Sequence, residues 1–205
     1  MKINEIFYSL QGEGKWTGFP NIFIRTSTCN LRCSFCDTTY AYEDGKEMKI
    51  LEIIDEIKKY KCKKICITGG EPLVQKETIN LIKNLVEKKY EICIETNGSI
   101  KIDEISKIKN ILISLDIKCP SSDMDKKMNF ENIKLLREND QLKFVINNYN
   151  DYLYSKEIFE KYIPRCTVFF QPVWKTDSKK LAEWIIKDNL DVKLGLQIHK
   201  IIDLK

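Results

Sequence analysis

Short β-rich apolar runs alternating with amphipathic helical repeats predict an α/β fold, a mostly parallel sheet with its crossover helices outside. Two further observations agree. Each candidate motif stands where a predicted strand ends, the edge at which parallel sheets gather ligands. Nothing in the 205 residues reads as a linker either, with five prolines, eight glycines and no low-complexity tract. A chain of this length suits one domain over 1–205, with a core that needs no disulfide staples.

The first parallel strand is Ile22 to Thr26, a β-rich run leading directly into a cysteine loop. Ile50, Ile53, Ile54 and Ile57 then recur at helical spacing, and Lys64 to Thr68 reads as a buried strand stopped by Gly69-Gly70. A helix carrying Ile79, Ile82, Leu85 and Val86 precedes a strand from Glu91 to Thr96, ended by Asn97-Gly98. A short helix near Ile105 leads to a strand from Ile111 to Leu115. Helices over Phe130 to Glu138, Asp151 to Tyr162 and Ser178 to Asn189 then alternate with strands Leu142 to Ile146, Val168 to Gln171 and Val192 to Leu196.

Lysine and arginine exceed aspartate and glutamate by 34 to 30, a net charge of +4 spread along helical faces without a basic block. That pattern serves solubility, and no nucleic-acid partner is expected. The segment Met1-Lys2-Ile3-Asn4-Glu5 lacks the apolar core of a secretory signal, and no run approaches a membrane span. A cytoplasmic location is expected, where eight cysteines read as reduced thiols and metal ligands.

Three of those cysteines fall within Cys29-Asn30-Leu31-Arg32-Cys33-Ser34-Phe35-Cys36. Three thiolates with C-x3-C-x2-C spacing can hold three corners of an iron-sulfur cube, leaving one iron open to chelate a small ligand. A structural zinc knuckle would need a fourth ligand, and Cys62 and Cys66, the nearby candidates, sit at the entry to a strand. Cys62, Cys66, Cys93, Cys119 and Cys166 are expected to be buried apolar thiols.

The loop, with Phe35 before its last cysteine, resembles the signature of the radical S-adenosylmethionine enzymes. The resemblance implies a 4Fe-4S cluster on Cys29, Cys33 and Cys36, S-adenosyl-L-methionine on the open iron, and cleavage to a 5'-deoxyadenosyl radical. It also implies a partial (β/α)6 barrel, a curved and partly open sheet. Gly69-Gly70-Glu71-Pro72 resembles the family's second motif, which faces the cofactor's amino group. Glycine there lets backbone approach a ligand and expose carbonyls. Glu95 and Asn97, in Glu95-Thr96-Asn97-Gly98, match a run common in the superfamily, and the resemblance implies that both touch the cofactor. A contact with ribose or carboxylate is spread over Ser114, Asp116 and Lys118, because many relatives carry S-P-K where this chain has Ser114-Leu115-Asp116-Ile117-Lys118.

Within that superfamily, Asn4 to Gly14, with Leu10-Gln11-Gly12-Glu13 at its end, is similar to the amino-terminal segment of the 7-carboxy-7-deazaguanine synthases. Thr17-Gly18-Phe19-Pro20, Arg25, and the terminal Gln197-Ile198-His199-Lys200 continue the likeness. The resemblance implies a pterin pocket built from Leu10, Gln11, Gly12, Glu13, Arg25, Thr68, Gln171 and Pro172, with Thr38 as a Mg2+ ligand. His199, the only histidine, serves equally well as a structural residue. The implied partners are an electron donor such as flavodoxin or ferredoxin and a second copy of the chain in a homodimer. A glycyl-radical-enzyme activase of the same superfamily is the enzymatic alternative, and a non-enzymatic metal-binding interaction module the other. Neither requires a pterin pocket.

Overall fold

The computed structural model describes residues 1–205. Its strands are β1 (Lys2–Leu10), β2 (Pro20–Thr26), β3 (Lys46–Glu47), β4 (Lys64–Gly69), β5 (Glu91–Thr96), β6 (Ile111–Lys118), β7 (Gln141–Ile146), β8 (Thr167–Pro172) and β9 (Lys193–Leu194). They form one sheet in the order β3-β1-β2-β4-β5-β6-β7-β8-β9. Every pair from β2 to β9 is parallel, whereas β1 runs antiparallel to both β2 and β3. The sheet is unclosed, with β3 and β9 at its edges, as the partly open barrel anticipates.

Strand alternation sorts the two faces. Ile22 and Ile24, Ile65 and Ile67, Ile92 and Ile94, Ile111 and Ile113, Leu142 and Phe144, and Val168 and Phe170 enter one continuous apolar core. The apolar stripes of α1 (Ile50–Ile57), α2 (Thr78–Glu87), α3 (Tyr149–Tyr162) and α4 (Ser178–Lys187) complete it, through buried residues such as Ile53, Leu81, Tyr152 and Leu181. The intervening positions, including Arg25, Thr68, Glu95, Asp116, Lys143 and Gln171, point to the concave side and line a cavity. The strands thus carry two messages in alternate residues.

Several elements differ from the sequence expectation. The amino-terminal segment is itself a nine-residue strand, β1. Phe130 to Glu138 is not an α-helix: a six-residue 3-10 run spans Phe130–Leu135. Its buried Asn132 explains this, since the amide donates to the Gly98 and Ile100 carbonyls and accepts from Ile102 N, tying the segment down. The crossovers from β5 to β6 and from β6 to β7 therefore carry only 3-10 turns. The last expected strand shrinks to Lys193–Leu194, beyond which Gly195 packs against the Gln171 side chain. Cys66, Cys93, Cys119 and Cys166 are buried as expected, but Cys62 is half-buried. No helix is long and apolar enough to cross a membrane.

Candidate active site

A cavity of about 570 Å3 opens at the carboxyl ends of the parallel strands. The cysteine loop between β2 and α1 forms one wall, and Cys29, Cys33, Phe35, Cys36 and Thr38 all line it. The eight cysteines are free thiols. Burial pushes the Cys29 and Cys33 thiols up, and Cys33 lies within the fields of both Cys29 and Cys36. No three Cys, His, Asp or Glu side chains converge tightly enough for a single metal ion. Three thiols on one cavity wall can serve three corners of an iron-sulfur cube.

Gly69 and Gly70 form the adjoining wall. Gly69 has φ +133°, and a Cβ on Gly70 would lie 2.2 Å from the Thr28 carbonyl oxygen and 3.0 Å from Cys29 N. The second motif thus packs directly on the start of the cysteine loop. Glu71 does not line the cavity. Fully buried, its carboxylate accepts from Leu73 N (3.0 Å), Thr96 Oγ1 (2.8 Å) and Asn97 N (2.6 Å). This departs from the expected cofactor contact, because the side chain turns inward to accept from Thr96 and Asn97 at the end of β5 and from Leu73 N in its own turn.

The opposite wall is the segment after β1. Leu10, Gln11, Gly12 and Glu13 all reach the cavity, as do Arg25 and Thr68 from β2 and β4. Gln11 Nε2 donates to Glu95 Oε1 (3.1 Å), and Thr68 Oγ1 to Glu95 Oε2 (2.8 Å), so both oxygens of that carboxylate are held. Arg25 Nε donates to Glu5 Oε1 at 2.8 Å. Ser114, Asp116 and Lys118 all line the floor; Lys118 Nζ lies 2.8 Å from Asp116 Oδ2, and Ser114 Oγ accepts from Gln141 Nε2. Gln171 lines the far side, but its neighbour Pro172 faces away, as strand alternation requires.

Several lining residues lay outside the sequence-based site, among them Lys143, Asp37, Tyr42, Trp174, Gln197, His199 and Lys200. Lys143 Nζ meets Glu13 Oε2 at 2.6 Å and Asp116 Oδ2 at 3.8 Å, and Gln197 Nε2 donates to Glu13 Oε1 at 2.6 Å. Burial opposes ionisation of Glu13, but the ammonium of Lys143 and the amides of Gln197 and Gln171 outweigh it and hold the carboxyl at about 2. Burial likewise works against the Lys143 charge, and Glu13, Asp116 and Glu95 override it, holding the amine well above the ordinary lysine value. His199 packs so closely on Gly12 that a Cβ there would lie 1.7 Å from its Nδ1. Burial lowers its pKa, leaving a neutral ring at physiological pH.

Four buried side-chain polar atoms lack a hydrogen-bond partner: Asn21 Oδ1, Asp116 Oδ1, Gln171 Oε1 and His199 Nδ1. The last three belong to residues that line this cavity. Unpaired buried polar atoms are costly, so their concentration here marks positions that a polar ligand completes.

Comparison with known proteins agrees with this geometry. A family model described as the Radical SAM superfamily matches residues 23–152. A 7-carboxy-7-deazaguanine synthase of Thermoplasma acidophilum is 39% identical over 98% of this chain and 97% of its own length. One from Methanospirillum hungatei is also 39% identical, over 100% of this chain and 86% of its own. Among solved structures, QueE from Escherichia coli superposes with a TM-score of 0.76 at 25% identity, over 96% of this chain and 93% of that one. Streptococcus suis SuiB bound to S-adenosylmethionine shares the fold at a TM-score of 0.62 and 15% identity, over 83% of this chain and 48% of that one. With its three thiols, its glycine wall and relatives matched nearly end to end, the chain belongs to the radical SAM superfamily and, within it, to the 7-carboxy-7-deazaguanine synthases.

Proposed function

We propose that this chain converts 6-carboxy-5,6,7,8-tetrahydropterin to 7-carboxy-7-deazaguanine with loss of ammonia, a radical ring contraction in deazapurine (queuosine or archaeosine) biosynthesis. The observation that carries the reading is one cavity joining three thiols on one wall to polar side chains around the rest, with unpaired buried atoms on Asp116, Gln171 and His199. A flat, hydrogen-bonding heterocycle with a carboxylate fits such a cavity.

The 4Fe-4S cluster and S-adenosylmethionine, when bound, supply one-electron chemistry able to remove hydrogen from an unactivated carbon. Cys29, Cys33 and Cys36 would hold the cluster. Gly69, Gly70, Glu95, Ser114, Asp116 and Lys118 would face the cofactor, with Phe35 packing beside it. The protein's own task is to place the target carbon and exclude competing groups. Glu13, kept ionised by Lys143, accepts N–H donors from the heterocycle's amide edge. Gln11 and Gln171 extend that edge, with Leu10 and the Gly12 backbone beneath the ring. Arg25, anchored through Nε by Glu5, turns the rest of its guanidinium toward the carboxylate, a charge-assisted contact.

A hard cation is part of the reading. Thr38 Oγ1 lies 3.0 Å from Asp37 Oδ1, whose other oxygen pairs with Lys200. The Thr38 hydroxyl is an oxygen donor of the kind Mg2+ takes alongside several waters. Thr38 would hold the ion, which would supply positive charge to orient a substrate carboxylate. An electron donor of the flavodoxin or ferredoxin type and a homodimeric assembly complete the proposal; exposed apolar side chains at Ile201, Ile202 and Leu204 support the second.

Binding to cluster-free protein tests the pocket apart from the chemistry. The carboxylated tetrahydropterin should bind at least tenfold more tightly than the pterin lacking the carboxylate, and Arg25→Gln should erase the difference. Equal affinities for wild type would contradict the reading.

A further inference from the structure

We infer that Asn97 is a positioning residue for the cluster: its side-chain amide donates to the Cys29 sulfur and so raises the cluster's reduction potential, with Glu71 fixing it in place. The inference rests on the three-thiol cluster and does not depend on the pterin substrate.

Asn97 follows the last residue of β5 and is 7% exposed. Its Nδ2 lies 3.8 Å from Cys29 Sγ and 3.1 Å from Asn30 Oδ1. The amide orientation is set by Ser99, whose backbone N–H (3.0 Å) and hydroxyl (2.6 Å) both donate to Asn97 Oδ1. A backbone N–H can only donate, so the oxygen must face Ser99 and the nitrogen must face the cysteine loop. Every polar group of this side chain is engaged, and its N–H points at sulfur.

The main chain beneath it is held as firmly. One Glu71 oxygen accepts from Asn97 N and the other from Thr96 Oγ1, while Glu71 N donates to the Thr28 carbonyl at 2.8 Å. Glu71 thus ties the end of β5 to the residue preceding Cys29. A glutamate expected to touch the cofactor instead sets the separation between a donor and a cluster ligand. Hydrogen bonds to ligand sulfur favour the more negatively charged, reduced state of a cluster, raising its potential.

The test is an anaerobic potentiometric titration of the reconstituted protein, followed by electron paramagnetic resonance with no S-adenosylmethionine present. At the wild-type midpoint, Asn97→Ala should show a reduced-to-oxidised ratio at least threefold lower at equal iron content; a tenfold change corresponds to 59 mV for one electron. Asn30→Ala removes the competing acceptor but keeps the N–H to Cys29, and should not lower the ratio. If Asn97→Ala fails to retain four irons, Ser99→Ala, which loosens the amide while sparing the backbone donor, should shift the ratio in the same direction. An unchanged midpoint in a fully loaded Asn97→Ala, or in Ser99→Ala where that variant is needed, would overturn the inference. So would an equal shift in Asn30→Ala.

Discussion

Lys143 brings a charge into the concave face of the sheet, where it is 8% exposed and held between Glu13 and Asp116. Lys143→Met leaves the Glu13 carboxylate buried without its cation, which should cost about 3 kcal/mol in denaturant unfolding and weaken pterin binding. The linkage sign follows from Glu13. Its folded pKa is lowered from 4.5 to about 2, so the stability it contributes is present above 4.5 and lost as pH falls toward 2. In cluster-free protein, the stability gap between wild type and Glu13→Gln should therefore narrow across that window; a gap independent of pH would contradict the pairing. Cys33→Ala should abolish both cluster and product, and retained cofactor cleavage would refute the assignment. Glu13 was legible in the sequence because it sits in a recognisable segment. Lys143, 130 residues away, was not, because one lysine in the strand Gln141–Ile146 gives no sign of which partner the register will place across the cavity.

Among the elements, the loop from β2 to α1 carries the three cysteines proposed to hold the cluster and depends on its neighbour for shape. A methyl group on Gly70 would collide with the Thr28 carbonyl, which belongs to backbone and cannot swing away. Gly70→Ala should therefore displace the cysteine loop and reduce reconstituted iron content severalfold while the sheet still folds; full iron loading would contradict this. Helix caps remote from the cavity provide a contrast. Asp177 caps α4 by accepting from Lys179 N and Lys180 N, and Asp177→Ala should cost about 1 kcal/mol of stability with turnover unchanged. The parallel strands were readable from their isoleucine and valine runs, and most helices from their periodicity. The 130–138 segment misled because Phe130, Ile133 and Leu136 keep helical spacing, while the buried Asn132 commits the backbone to loop carbonyls that no local pattern reveals.

At the scale of the molecule, one unclosed sheet separates two tasks, with an isoleucine-rich face packed under helices and a polar face turned to the cavity. Motif order alone picked out the cysteine segment and the Leu10–Glu13 segment that line the cavity, since both are short and contiguous. What stayed hidden is how the chain's end returns to the site: Ile198 N donates to the Gly12 carbonyl and brings Gln197 and His199 into the pocket. The proposed homodimer should appear in anaerobic light scattering as twice the chain mass of 24.1 kDa. The most direct test of the central claim is turnover itself. Protein reconstituted with iron and sulfide without oxygen, then given reductant, S-adenosylmethionine, Mg2+ and 6-carboxy-5,6,7,8-tetrahydropterin, should yield 7-carboxy-7-deazaguanine by mass spectrometry. Accumulation of 5'-deoxyadenosine without that product, from a fully loaded cluster, would contradict the substrate assignment, and absence of both would contradict the radical chemistry.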